Sequence, residues 1–76
     1  MNWDQISGNW KQIEGAVREN WGKFTDDDIA VIKGKHEQLV GVIQEKYGIS
    51  KEEAQKQADS FQNTLKKLFN KKDLNN

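Results

Sequence analysis

The sequence contains no cysteine and no proline among its 76 residues. Without cysteine, no disulfide can hold the chain together, and no thiolate is available to bind a metal or to attack a substrate. Without proline, no segment has the composition of a rigid Pro-rich linker. The chain therefore has to fold through ordinary packing, and any chemistry has to come from other side chains.

Aliphatic residues are few, and neither sign of charge is in excess. Leucine, isoleucine, valine and phenylalanine total 17 residues, close to the roughly 20% below which highly charged chains stay disordered. Twelve basic and 12 acidic residues cancel, and three tryptophans add large apolar area. Self-repulsion is therefore small, and nothing draws the whole chain to nucleic acid or anionic lipid. We expect a small, modestly stable folded domain.

Long apolar runs are also missing. No stretch approaches the about 20 apolar residues of a membrane-spanning helix. The first residues, Met1-Asn2-Trp3-Asp4, lack the basic and apolar regions of a secretory signal. These absences predict a cytoplasmic protein without a membrane span.

What the sequence does have is a repeat with an offset of 26 residues. Aligning residues 1–22 with 27–48 gives six identical pairs out of 22, three of them glycine pairs. The aligned pairs that differ most are Trp3/Ile29 and Trp10/His36. These differences indicate that the two copies face different surroundings, so a functional surface is expected near them or on the unrepeated C-terminal segment.

Apolar residues recur every three or four positions, which is the spacing of one face of an α-helix. The first copy has this stripe at Trp3, Ile6, Trp10, Ile13, Val17 and Trp21, and the second at Ile29, Ile32, His36, Leu39, Ile43 and Tyr47. A third stripe, in residues 51–70, comprises Ala54, Ala58, Phe61, Leu65, Leu68 and Phe69. The pattern predicts an all-α fold: a compact bundle of about four to five helices, formed by two similar 26-residue units and a C-terminal amphipathic helix. We expect a single domain over residues 1–70 and a frayed polar tail over residues 71–76.

The repeated glycines predict details of each unit. Gly8 and Gly34 follow the first helical turns, so each unit should contain a short helix, a break and a longer helix. Gly15 and Gly41 lie in the middle of the longer helices, where the missing side chain should let another backbone approach closely.

The ends of the longer helices carry their own signals. Gly22 and Gly48 follow the last apolar residue, where a left-handed cap is favoured. Thr25–Asp28 and Ser50–Glu53 fit the capping box that starts a helix. Of these two boxes we expect the second to be better formed, because glutamate reaches the cap amide more easily than aspartate.

Asp26, Asp27 and Asp28 form the densest acidic cluster and could bind a divalent cation. Consecutive helical residues point about 100° apart, however, and the alternating spacing of a calcium loop is absent. The preferred interpretation is a helix N-terminus stabilised by carboxylates, and no metal or other cofactor is expected.

The aromatic stripe residues have two interpretations. Trp3, Trp10 and Trp21 could form a stacking platform for a ligand, but a helical stripe of this kind is typical of core packing. His36 is the single histidine and has no partner set for zinc binding or catalysis, so we interpret it as a half-buried packing residue. Any indole that so small a domain leaves uncovered would face a partner.

One local basic patch lies near the C-terminus. Lys66, Lys67, Lys71 and Lys72 surround Leu68 and Phe69 and could contact phosphates or an anionic surface. Lysine at a helix C-terminus is also favourable in itself. A nucleic-acid partner is therefore disfavoured.

No nucleophile–base set, phosphate-binding loop or carboxylate pair in a cleft is recognisable, so we expect neither an enzyme nor a small-molecule substrate. Several segments, in order, resemble the CsbD-like family of small bacterial stress-response proteins. These segments are Gly8-Asn9-Trp10-Lys11-Gln12, Trp21-Gly22-Lys23, Thr25-Asp26-Asp27-Asp28, Gln38-Leu39-Val40-Gly41 and Tyr47-Gly48.

The resemblance implies a cytoplasmic bacterial protein of compact all-α form, induced under general or osmotic stress. It supplies no molecular activity and no ligand residues. From about Phe61 onward the chain is longer than the family pattern and less similar to it.

Three functional hypotheses follow. The first is a non-enzymatic stress protein that acts by contact with an unknown protein partner or by self-association, through a surface near Trp3, Trp10, His36 or the C-terminal lysines. The second is a weak binder of nucleic acid or an anionic surface through those lysines. The third is a loosely ordered hydrophilic protectant.

Overall fold

Five helices joined by short connections account for nearly all of the chain that the structure describes. The computed structural model describes residues 2–74, with side chains described through residue 68. The helices are α1 (Trp3–Gly8), α2 (Trp10–Asn20), α3 (Asp26–Ile32), α4 (His36–Tyr47) and α5 (Lys51–Leu74). Residues 2–74 contain no strand. The predicted all-α fold with four to five helices is confirmed.

The two copies of the repeat fold alike, each as a short helix, a break and a longer helix. In the first copy, Asn9 ends α1 and starts α2, directly after Gly8. In the second, the break lies between Ile32 and His36. The breaks predicted from Gly8 and Gly34 are therefore confirmed.

Gly34 is the position where the backbone requires glycine. It lies in the left-handed region with φ of 77°, and Lys33 before it is also left-handed with φ of 49°. A Cβ at position 34 would lie 2.6 Å from Ser7 Cα and 2.8 Å from Ser7 N. The Ser7 hydroxyl donates to the Gly34 carbonyl at 3.0 Å. The two repeats thus meet backbone to backbone at Gly34.

Two predictions from the other glycines are wrong. No heavy atom would lie within 4 Å of a Cβ at Gly15 or Gly41, so neither glycine serves a close backbone approach. Gly22 does not adopt positive φ, whereas Gly48 does, with φ of 62°. In the first copy α2 instead ends at Trp21, with φ of −128° and ψ of 84°, and this residue is buried in the core.

Both helix-start signals form, but not with the predicted ranking. At Thr25 the box is complete: the hydroxyl accepts from the Asp28 amide at 3.1 Å, and the carboxylate accepts from the Thr25 amide at 2.8 Å. At Ser50 the hydroxyl accepts from the Glu53 amide at 3.1 Å, and the described contacts show no return bond. The same Asp28 oxygen, Oδ2, also pairs with Lys46 Nζ at 2.9 Å.

The core lies around α4, which packs against both α3 and α5. The buried apolar residues are Ile6, Ile13, Val17, Trp21, Phe24, Ile29, Ile32, Leu39, Val40, Val42, Ile43, Ala54, Ala58, Phe61 and Leu65. Phe24, Val40 and Val42 lie outside the predicted stripes. Val40 and Val42 are buried because α4 has helices on two sides and so buries more than one stripe, whereas Phe24 lies in the connection between α2 and α3. Leu68 was predicted to be in the stripe of α5 but is 56% exposed, and the side chain of Phe69 lies outside the described residues.

The two repeats contact each other crosswise. The ring of Trp3 lies 4.9 Å from that of His36, and the Trp10 indole N–H donates to the Ile29 carbonyl at 3.0 Å. In the repeat alignment Trp3 corresponds to Ile29, and Trp10 to His36. Exchanging the two units therefore turns one contact into the other.

Helix α5 has no counterpart in the repeat and is the longest element. Its 24 residues span about 36 Å, close to the 42 Å long dimension of the molecule. The helix continues through Leu74, four residues beyond the predicted stripe segment. The domain limit at residue 70 and the frayed tail remain predictions, since side chains after Leu68 and residues 75–76 lie outside the described part.

Candidate interaction surface

The acidic cluster at the start of α3 is divided among structural contacts. Asp28 closes the capping box and pairs with Lys46, while Asp26 pairs with Arg18. The Thr25 amide, followed by Lys46, holds the pKa of the Asp28 carboxyl below its usual value, and the Asp28 contact raises the pKa of Lys46. Within residues 2–68, no three His, Cys, Asp or Glu side chains are grouped as a metal site.

His36 begins α4 and lies half-buried against Trp3, with an angle of 57° between the rings. Its Nε2 is 3.5 Å from Asp59 Oδ1, and no described group is hydrogen-bonded to it. Asp59 is 65% exposed, whereas the Nε2 atom itself is buried. The arrangement links α1, α4 and α5 without forming a catalytic set.

The three tryptophans differ in burial. Trp21 is buried, and its indole N–H donates to Gln57 Oε1 at 2.9 Å. Its ring stacks on Phe24 at 5.3 Å and meets the edge of Phe61 at 4.9 Å. Trp3 and Trp10 are half-buried between the repeats. The indoles therefore join elements of the fold and do not form a common platform.

The basic patch is described only in part. Lys66 and Lys67 are exposed on α5, directly before Leu68. The side chains of Lys71 and Lys72 lie outside the described residues. The sequence-predicted candidates thus fall into two groups: Trp3, Trp10 and His36 at the contact between the repeats, and the lysines at the far end of α5.

A groove with a largely apolar lining lies between α2 and the C-terminal half of α5. We name it the α2–α5 groove. It is lined by Gln12, Ile13, Ala16, Glu19, Asn20, Phe61, Thr64, Leu65 and Leu68. Ile13, Phe61 and Leu65 are buried, Ala16 is half-buried, and Leu68 is 56% exposed at the rim.

Comparing the repeats shows that this groove lies at a position that is buried in the second copy. Ala16 aligns with Val42, which is 8% exposed, whereas Ala16 lies at the open groove. The groove was not predicted, because the apolar stripe of α5 placed Leu68 on the buried face. The Ala16/Val42 difference, a small residue replacing a larger one on the same face, was the available signal.

Comparisons with known proteins agree with the helical repeat. The model of a protein family described as CsbD-like matches residues 4–56. The UPF0337 protein YjbJ of Escherichia coli O6:H1 is 56% identical over 62 residues, which cover 82% of this chain and 90% of the relative. A UPF0337 protein of Pectobacterium atrosepticum is 58% identical over 62 residues, with the same coverage of 82% and 90%.

YjbJ of Salmonella typhimurium is 58% identical over 57 residues, which cover 75% of this chain and 81% of the relative. The names of these relatives specify no reaction and no ligand. The α5 wall of the α2–α5 groove, from Phe61 to Leu68, lies beyond the segment that the family model matches. No helix within the described residues is both long and apolar enough to cross a membrane.

Proposed function

The chain belongs to the CsbD-like family, and from that premise we propose that it serves the bacterial stress response by binding another protein chain, without catalysis. The observation that carries the proposal is the α2–α5 groove, with Leu68 at its rim. Exposed apolar residues beside a groove are typical of protein interaction sites. We propose that the protein acts in the cytoplasm.

The absence of catalysis is supported by how the charged side chains are used. Asp28, Lys46, Asp26 and Arg18 stabilise a helix start and its neighbours. His36, the one imidazole, is stacked on Trp3 beside an exposed carboxylate. An active site needs a nucleophile or base aimed at a substrate cavity, and these groups serve the fold instead.

The proposal is tested in a host that lacks the gene and is then exposed to osmotic shock. Leu68→Asp places a charge at the groove rim and should abolish rescue of survival, at protein abundance equal to wild type. Val31→Asp is the matched control, because Val31 is 57% exposed, on α3, and does not line the groove. If Leu68→Asp rescues as well as wild type, the groove is not the functional surface.

A second candidate function is binding of an anionic surface or nucleic acid through the end of α5. It is supported by the exposure of Lys66 and Lys67 beside an exposed leucine. Such binding should weaken steeply with salt and be lost when Lys66, Lys67, Lys71 and Lys72 are changed to glutamine. Vesicles containing phosphatidylserine and a DNA duplex are the two probes, and salt-insensitive binding to either would contradict this function.

A further inference from the structure

We infer that the α2–α5 groove binds a second copy of this chain, so that the protein forms a symmetric dimer through α2 and residues 61–68 of α5. The inference rests on the proposed function and names the partner of the same surface. The shape, the charge and the area of the groove support it.

The shape of the groove is self-complementary. Leu68 is both part of the rim and the apolar side chain that projects most from it, at 56% exposure. Ile13, Ala16 and Leu65 form an apolar floor beside it. Under a two-fold axis near Leu68, the leucine of each copy enters the groove of the other, as in an isologous interface.

The charges around the groove also complement themselves. Glu19 lines the α2 side, while Lys66 and Lys67 stand exposed on α5 next to Leu68. A two-fold arrangement brings the basic end of one α5 towards the acidic side of the other groove. Because the net charge is zero, two copies do not repel each other at long range.

Comparison with the second copy of the repeat indicates that the groove fits a helix. The equivalent face of α4, at Val42, is buried inside the molecule, where α4 packs on other helices. On α2, the small Ala16 leaves the groove open to a helix from outside. The part of α5 that carries Leu68 is such a helix, and every copy presents it.

The area of the groove indicates how tightly two copies should associate. Stable dimers bury roughly 800 Å² per partner, a sizeable share of the 5255 Å² surface of this chain. The groove residues on α2 and on α5 up to Leu68 form a smaller patch, so we expect a reversible dimer that dissociates on dilution.

The test is sedimentation velocity of the full chain between about 1 µM and about 1 mM. Wild type and Val31→Asp should shift from monomer to dimer over the same concentrations. Leu68→Asp should weaken association at least about tenfold, while its circular dichroism remains that of a folded helical protein. Since Leu68 is exposed, the substitution leaves the core intact, and a folded variant is expected.

A second experiment exchanges the charge of Glu19 with those of Lys66 and Lys67. Glu19→Lys should weaken association by itself, and combining it with Lys66→Glu and Lys67→Glu should restore it. A wild-type chain that remains monomeric throughout, or Val31→Asp and Leu68→Asp variants that weaken association equally, would overturn the inference.

The outcome separates this inference from the proposed function. A monomeric chain whose Leu68→Asp variant still fails to rescue stressed cells would refute the dimer and leave a different protein as the partner. Rescue by Leu68→Asp would refute the proposed function, whatever the oligomeric state.

Discussion

Single residues at the contact between the repeats determine how closely the two units approach. Gly34 combines a left-handed backbone with a hydrogen bond from Ser7, and its missing side chain leaves space for the backbone of α1. Asp28 closes a helix start and pairs with Lys46 on α4. Each of the two residues contacts a partner that is distant in the sequence, Ser7 for Gly34 and Lys46 for Asp28.

Gly34→Ala should lower the free energy of unfolding by about 1–3 kcal/mol, since alanine is strained at this φ and its Cβ would meet Ser7. Gly41→Ala is the matched control in an open helical position, and it should raise stability by roughly 0.5–1 kcal/mol. Urea unfolding followed by circular dichroism measures both changes. Equal effects of the two substitutions would contradict the assigned role of Gly34.

Asp28 should make stability depend on pH in the acid range. Its pKa in the folded chain is lowered from 3.8, so the folded state favours the ionised carboxylate. The stabilisation is present above about pH 4 and is lost as the pH falls through the folded pKa. The difference in unfolding free energy between wild type and Asp28→Asn should therefore shrink on acidification.

Asp27→Asn is the control for this prediction, because it removes the same charge from the same turn without altering the capping box. Thermal unfolding at a series of pH values gives the comparison. A wild-type advantage over Asp28→Asn that persists unchanged at low pH would show that the Asp28 carboxylate does not stabilise the fold through its charge.

Individual glycines show why the sequence could not predict every detail. The identical pairs Gly8/Gly34 and Gly15/Gly41 look equivalent in the chain, yet only Gly34 meets a backbone, that of Ser7. Sequence periodicity reports which face a residue occupies, but not which element lies opposite. The predictions for Gly15 and Gly41 failed for that reason. The local predictions were mostly correct, since the breaks and the Gly48 cap formed, but the Gly22 cap did not.

At the scale of whole elements, α5 completes the core and extends past the region that the two repeats occupy. Ala54 and Ala58 are fully buried, and their small side chains allow α5 to lie close to α4. Further along, Phe61 and Leu65 remain buried while Leu68 does not. The apolar spacing of α5 was correctly predicted, but spacing alone could not show where the neighbouring helix stops covering it.

Ala58→Leu should destabilise the protein by about 1–3 kcal/mol, because the larger side chain overpacks the contact between α4 and α5. Asn63→Leu introduces the same side chain at an exposed position of α5 and should change stability by less than about 0.5 kcal/mol. Chemical unfolding measures both variants. A tolerated Ala58→Leu would mean that α5 does not pack tightly on α4.

At the scale of the molecule, the crosswise contacts of Trp3 with His36 and of Trp10 with Ile29 join the two units into one core. Composition alone left a loosely ordered protectant as an alternative. The complete capping box at Thr25 and the hydrogen-bonded indoles of Trp10 and Trp21 favour an ordered domain.

Amide hydrogen exchange tests this distinction. Backbone amides in residues 9–21 should exchange far more slowly than in an unstructured peptide, because α2 carries the buried Ile13 and Val17. The amides of Lys51 and Glu52 in the first turn of α5, which have no intrahelical acceptor, serve as the internal reference. Uniformly fast exchange would support the protectant hypothesis and contradict a folded interaction protein.

The crosswise contacts between the two units have a consequence for what happens when the chain opens. The first unit of one molecule presents to its own second unit the same surface that it would present to the second unit of another molecule. Residues 21–25 connect the units, so opening at this connection would let two chains trade halves and close again as a domain-swapped pair. Such a pair would form only after partial unfolding and would persist on dilution, and Leu68→Asp would leave it intact.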